Sequence, residues 1–75
     1  MKAVSGVFHP QVLLIVRELR AYRLTMNIST REMARRANVG TYSLALWEHE
    51  ERMPDMLNLD SWASSLGYKL NITIE

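Results

Sequence analysis

The chain has 75 residues, no cysteine, a hydrophobic share of 48% and a net charge of +1 from nine basic and eight acidic side chains. That size predicts one small domain over residues 1–75, and a chain this short buries only about 60% of its unfolded surface. Composition excludes disulfides and thiolate metal sites, and the near-neutral charge excludes a uniformly basic nucleic-acid coat. Any binding to nucleic acid must therefore come from local placement of charge. The longest apolar run, residues 12–16, has five residues, far short of the roughly 18 of a membrane span. The opening MKAVSGVFHP lacks the apolar segment of a secretory signal, so a cytoplasmic chain without membrane partners is expected. Small apolar chains without covalent staples often gain stability by association.

Residues 1–9 hold two apolar pairs, Ala3-Val4 and Val7-Phe8, around Gly6. They read as an arm or a short strand. Pro10 suits the first turn of a helix, where its missing N–H costs nothing. Leu13, Val16, Leu19 and then Tyr22 or Arg23 recur at helical spacing, and RELRAYR is helix-forming, so a first helix is predicted over 10–24. Val12, Leu14 and Ile15 exceed what one stripe needs. They are expected to meet the N-terminal segment or a second subunit.

Asn27 tolerates a left-handed turn. Ser29 and Glu32 have the spacing of a reciprocal capping box, with Ile28 and Met33 as its hydrophobic staple. A second helix is predicted over 30–37, its apolar face Met33, Ala34 and Ala37. Asn38-Val39-Gly40 reads as a turn, with Asn38 and Gly40 supplying its geometry and Val39 pointing to the core. A third helix follows over 41–49, anchored by Leu44 and Trp47. Pro54 closes the next loop and Asp55 is an N-cap. Met56, Leu59, Trp62, Ala63 and Leu66 form the stripe of a fourth helix, stopped at Gly67. Beyond it Leu70, Ile72 and Ile74 alternate with polar residues, the pattern of a half-buried strand. A lone strand needs a partner, either residues 3–8 or its own copy in a second subunit.

These pieces in this order resemble the Cro/CI-like (XRE-type) helix-turn-helix family of phage repressors and bacterial transcriptional regulators. The resemblance runs from Leu19 to Tyr68. It rests on Arg23, Ser29-Thr30, Glu32-Met33-Ala34, Ala37-Asn38-Val39-Gly40, Leu44, Trp47-Glu48, Pro54, Leu59, Trp62-Ala63 and Leu66-Gly67. It implies a mostly α, compact four- to five-helix domain over 10–67, with a short C-terminal β-strand over 68–75 as a dimerisation element. By family position, Arg23 and Glu48 form a structural salt bridge between the first and third helices. Leu70, Ile72 and Ile74 would form an intersubunit sheet, covering an exposed edge.

The implied partner is double-stranded DNA, bound by a homodimer on a short palindromic operator whose half-sites lie about 34 Å apart. The third helix would enter the major groove, reading bases through Thr41, Tyr42, Ser43, Ala45 and Leu46. None of these makes a bidentate base contact as Arg, Asn or Gln would, so DNA shape should share the readout. Phosphates would meet Thr30 at the second helix's N-terminus and the basic side chains Arg31, Arg35, Arg36 and Arg52. Lys2 could add to these from the arm. Where the family carries a glycine and often a basic residue after the glutamate, this chain has His49-Glu50-Glu51-Arg52. Replacing Glu50 and Glu51 by Gly-Lys is accordingly expected to tighten DNA binding.

An enzyme is not expected. His9 and His49 stand apart, Ser61, Ser64 and Ser65 lie on a polar face, and no metal-ligand spacing or phosphate loop occurs. The tryptophans and methionines are expected mostly in the core. No cofactor and no small-molecule ligand is implied. The competing expectation is an antitoxin-type module that binds a partner protein such as a toxin, with DNA binding secondary or lost.

Overall fold

The computed structural model describes residues 9–70. Among them the chain forms four helices and no strand: α1 (Pro10–Thr25), α2 (Thr30–Ala37), α3 (Thr41–Glu48) and α4 (Met56–Ser65). The fold is thus all-helical over that range, with helix limits within two residues of those read from the sequence. The arm over 1–8 and the segment 71–75, with Ile72 and Ile74, lie outside the described residues.

Each helix has a start that the local chemistry explains. Ser29 Oγ accepts from the Glu32 N–H at 3.0 Å, and Asp55 accepts from the Asn58 N–H at 2.8 Å. The reciprocal half of the expected capping box is not made. The Glu32 carboxylate turns to Arg35 and Arg36 instead, where two guanidinium partners hold it better than one backbone amide would. At α1 the cap is His9, whose Nδ1 accepts from the Gln11 N–H at 3.1 Å, with Pro10 filling the first helical position. Gly40 caps α3 without a side chain.

All four helices end in one way. A left-handed residue follows the last turn: Asn27, Asn38 and Glu50 with φ of 60, 60 and 61°, and Gly67 with φ of 84°. In each case two amides bond back into the final turn. For α1, Asn27 bonds to the Leu24 carbonyl and Ile28 to the Arg23 carbonyl. For α3, Glu50 bonds to Trp47 and Glu51 to Leu46. These are Schellman closures, which satisfy carbonyls that would otherwise be left open. Gly40 does not take part. Its φ is −72° and a side chain there would meet nothing closer than Ser43 Oγ at 3.7 Å, so the turn geometry assigned to it falls to Asn38 alone.

The core joins Val12, Val16 and Leu19 of α1, Met33, Ala34 and Ala37 of α2, Leu44 and Trp47 of α3, and Leu59, Trp62 and Ala63 of α4. α2 packs on α3 and α4, and α1 closes over α3 and α4. Alanines on α2 and α4 permit close approach of the helices, while Trp62 and Met33 fill the space between. Trp47 and Trp62 lie with ring centroids 6.1 Å apart. Each large side chain buried here contributes about 1.5–3 kcal/mol.

Several positions differ from the sequence reading. The buried stripe of α1 is Val12, Val16, Leu19 and Arg23, with Leu13 only half-buried. The Arg23 ion pair faces α3 from the same side of α1 as Val12, Val16 and Leu19. Ile15 is half-buried, whereas Leu14 is 64% exposed. Met56 is exposed at the first position of α4, before the helix turns inward. Met26 is exposed too and Met53 half-buried, so Met33 is the only core methionine among the described residues. Ser61 and Ser64 face solvent, but Ser65 is half-buried and donates to the Trp62 carbonyl at 2.6 Å. Leu70 packs against the core of its own chain in an irregular segment.

Candidate nucleic-acid interface

The three residues Asn38, Val39 and Gly40 reverse the chain between α2 and α3. The left-handed Asn38 breaks α2, half-buried Val39 packs on the core, and α3 begins at Thr41. The buried side of α3 is Leu44, Trp47 and Glu48. Its helical complement carries the other residues: Thr41 is exposed, Tyr42 is 77% exposed, and Ser43, Ala45 and Leu46 are half-buried. The opening turn of α3 therefore offers the Thr41 hydroxyl, the Tyr42 phenol, the half-buried Ser43 hydroxyl and amide N–H groups without a side-chain cap. Ala45 and Leu46 present less surface.

The buried anchor of α3 is ionic. Arg23 Nε and Nη2 donate to the two oxygens of Glu48 at 2.7 and 2.8 Å, with side chains 11% and 4% exposed. Arg23 Nη1 also donates to the Ile28 carbonyl at 2.7 Å. One guanidinium thus holds α1, the α1–α2 turn and the end of α3 together. Its fork geometry satisfies both charges, which is what makes such burial tolerable. Arg20 Nε lies 4.0 Å from the same carboxylate.

A second pair lies beside it. Arg17 Nε and Nη2 donate to Glu50 Oε2 and Oε1 at 2.8 and 3.0 Å. These bonds from Arg17 hold the Glu50 carboxyl below its usual range. Neither Arg17 nor Arg20 belongs to the residues that the family resemblance marks. The available signal was the three-residue spacing of Arg17, Arg20 and Arg23 along one helix, opposite two glutamates separated by one residue. The concern that Glu50 and Glu51 act alike against a phosphate also changes. Glu50 is turned to α1, and Glu51 is exposed.

The candidate phosphate contacts divide into two groups. Arg35 and Arg36 are exposed on α2 but share Glu32, at 2.6 and 2.8 Å. Their hydrogen bonds, Arg35 first, lower the Glu32 carboxyl to about 2. Arg31 and Arg52 are exposed, and among the described residues neither has an ion-pair partner. Thr30 is half-buried at the first position of α2. His49 is exposed at the end of α3.

A groove of about 200 Å³ opens on a different part of the surface, lined by Ile15, Glu18, Leu19, Ala63, Tyr68, Lys69 and Leu70. Tyr22 and Tyr68 meet edge to face at its margin, 5.5 Å between centroids. No group of three or more potential metal ligands occurs among the described residues. Among the described residues no helix is long and apolar enough to cross a membrane.

No protein-family model, curated protein or solved structure matches the chain.

Proposed function

We propose that the chain is a sequence-specific DNA-binding transcriptional regulator of the Cro/CI-like helix-turn-helix kind, acting as a homodimeric repressor. The observation that carries this reading is the division of α3. One face is locked into the core by Leu44, Trp47 and the Glu48–Arg23 pair, while its first residues, Thr41 and Tyr42, stand in solvent. A short rigid helix with an exposed N-terminal turn, set three residues after another helix, suits insertion into a major groove.

In this reading Tyr42 and Thr41 meet base edges, Ser43 and Leu46 add a hydrogen bond and a thymine-methyl contact, and Ala45 lines the approach. Arg31 and Arg52, which have no ion-pair partner among the described residues, bind phosphate at once. Arg35 and Arg36 must first exchange Glu32 for phosphate. Thr30 and the free amides of the first turn of α2 bind one further phosphate. Two copies related by a two-fold axis would engage a palindromic site.

The test is enrichment of duplexes from a random-sequence pool, followed by titration at several salt concentrations. A specific complex is expected, weakening steeply as salt rises because counterions are released. Tyr42→Ala should cost at most about 1 kcal/mol of discrimination at one base pair, the low end for a base contact, because a phenol makes no bidentate pair. Arg31→Ala should instead weaken all sequences about equally and lower the salt slope by about one. Failure to enrich any duplex would reject the reading.

The second reading, an antitoxin-type module gripping a partner protein, is favoured by the exposed apolar side chains Leu14 and Leu57, 64% and 77% exposed. A toxin-like partner should then bind mutants lacking Tyr42 as well as the native chain.

A further inference from the structure

Four helices close on a left-handed residue, and three of those residues are suited to it: two asparagines and a glycine. The fourth is Glu50, with φ of 61°. A glutamate gains nothing locally in that conformation, since its side chain is too long for the short-range bonds that help asparagine. Its carboxylate instead crosses to α1 and takes Arg17 in a two-bond fork. The Arg17 side chain is 56% exposed and that of Glu50 34%, and exposed pairs add little to stability. The closure of α3 accounts for the left-handed backbone, but a weak ion pair does not account for glutamate in place of asparagine or glycine there. Such local conflicts point to a role in function.

Geometry supplies that role. Leu44 and Trp47 seat α3 in the core, and the buried Arg23–Glu48 fork is the polar link that ties its last turn to α1. Arg17 lies six residues before Arg23, about 9 Å along the helix axis. A second link at that distance, on the residue that closes α3, biases the angle that the buried face leaves adjustable. We propose that Arg17 and Glu50 are a positioning pair that sets the crossing angle of α3 on α1, and with it the angle at which Thr41 and Tyr42 are presented. Presentation to a duplex rests on the nucleic-acid reading above. The setting of the angle does not.

Glu50→Gly removes the carboxylate and relieves the backbone together, and Arg17→Met removes only the partner. Both should fold, with Glu50→Gly melting at or above the native temperature. Residual dipolar couplings on the free proteins are expected to show α3 reoriented against α1 in both variants. The double variant should move no further, because one interaction has been lost in either case. On a duplex enriched by the native protein, specific affinity should fall roughly 3- to 30-fold. Binding to a scrambled duplex should change much less. Glu50→Gln, which keeps an acceptor for Arg17, should recover part of the loss.

An unchanged angle between α1 and α3 would overturn the proposal whatever the DNA result. Equal or tighter specific binding by Glu50→Gly would also overturn it, and would show that the glutamate acts only as repelling charge. If the native protein enriches no duplex, the nucleic-acid reading fails, and the couplings alone decide the pair.

Discussion

Arg23 is a charge that the fold can bury only because three acceptors meet it, two on Glu48 and one at the Ile28 carbonyl. Removing one partner strands the other. Arg23→Met is therefore expected to cost about 3–5 kcal/mol in urea unfolding, and Arg23→Met with Glu48→Leu should recover a large part. Trp62 is the opposite case. It is wholly buried, yet among the described residues its indole N–H has no acceptor, and an unsatisfied donor costs about 1–3 kcal/mol. Trp62→Phe trades lost packing against relief of that donor, so its cost should stay below about 2 kcal/mol. Leu59→Ala, with no such compensation, should cost about 2–5 kcal/mol. Glu32 gives a pH signal. Its carboxyl is lowered from 4.5 to about 2 by Arg35 and Arg36. The contribution is fully present above 4.5 and is lost as pH falls from there toward 2. Arg35→Ala should return the titration toward 4.5, read by carboxyl-carbon NMR, and added salt should weaken the native shift.

At the scale of the element, caps and closures decide the limits more firmly than helix preference does. α2 and α3 have eight residues each, too few to persist alone. Their ends are set by Ser29, Asn38, Gly40 and the Glu50 closure, and their persistence by the buried faces. Gly67 tests the closure in isolation. A side chain there would meet nothing within 4 Å, but φ is 84°. Gly67→Ala should thus cost about 1 kcal/mol through backbone conformation alone, measurable as a shift in urea midpoint at constant slope. The two glutamates after α3 should also separate. Glu51→Lys is expected to tighten DNA binding, since Glu51 is exposed. Glu50→Gly is expected to weaken it, contrary to what their shared charge suggests. Competitive binding to one enriched duplex distinguishes the two.

For the molecule as a whole the subunit contact is tested through the C-terminal segment. Leu70 already belongs to its own core, beside Ile15, Leu19 and Ala63. Deleting residues 69–75 would therefore remove an internal contact along with any dimer contact. Ile72→Lys with Ile74→Lys leaves Leu70 in place and is the cleaner test. In the dimeric reading it yields monomers by light scattering and weakens operator binding. A variant that remains dimeric assigns the subunit contact elsewhere, with exposed Leu57 on α4 as the next place to look.

The sequence by itself determined the four helices, their order and most of their limits. Helical period, Ser29 and Asp55 as caps, and Asn27, Asn38 and Gly67 as stops are all local signals, governed by backbone geometry within a few residues. It also named the Arg23–Glu48 pair, though through a resemblance and not from spacing. Only the tertiary structure decided which side of α1 faces inward, where the Glu32 carboxylate goes, and that Glu50 belongs to Arg17. Those outcomes depend on distances between segments far apart in the chain. A glutamate in a left-handed turn looks like a misfit until the helix that it reaches is in place.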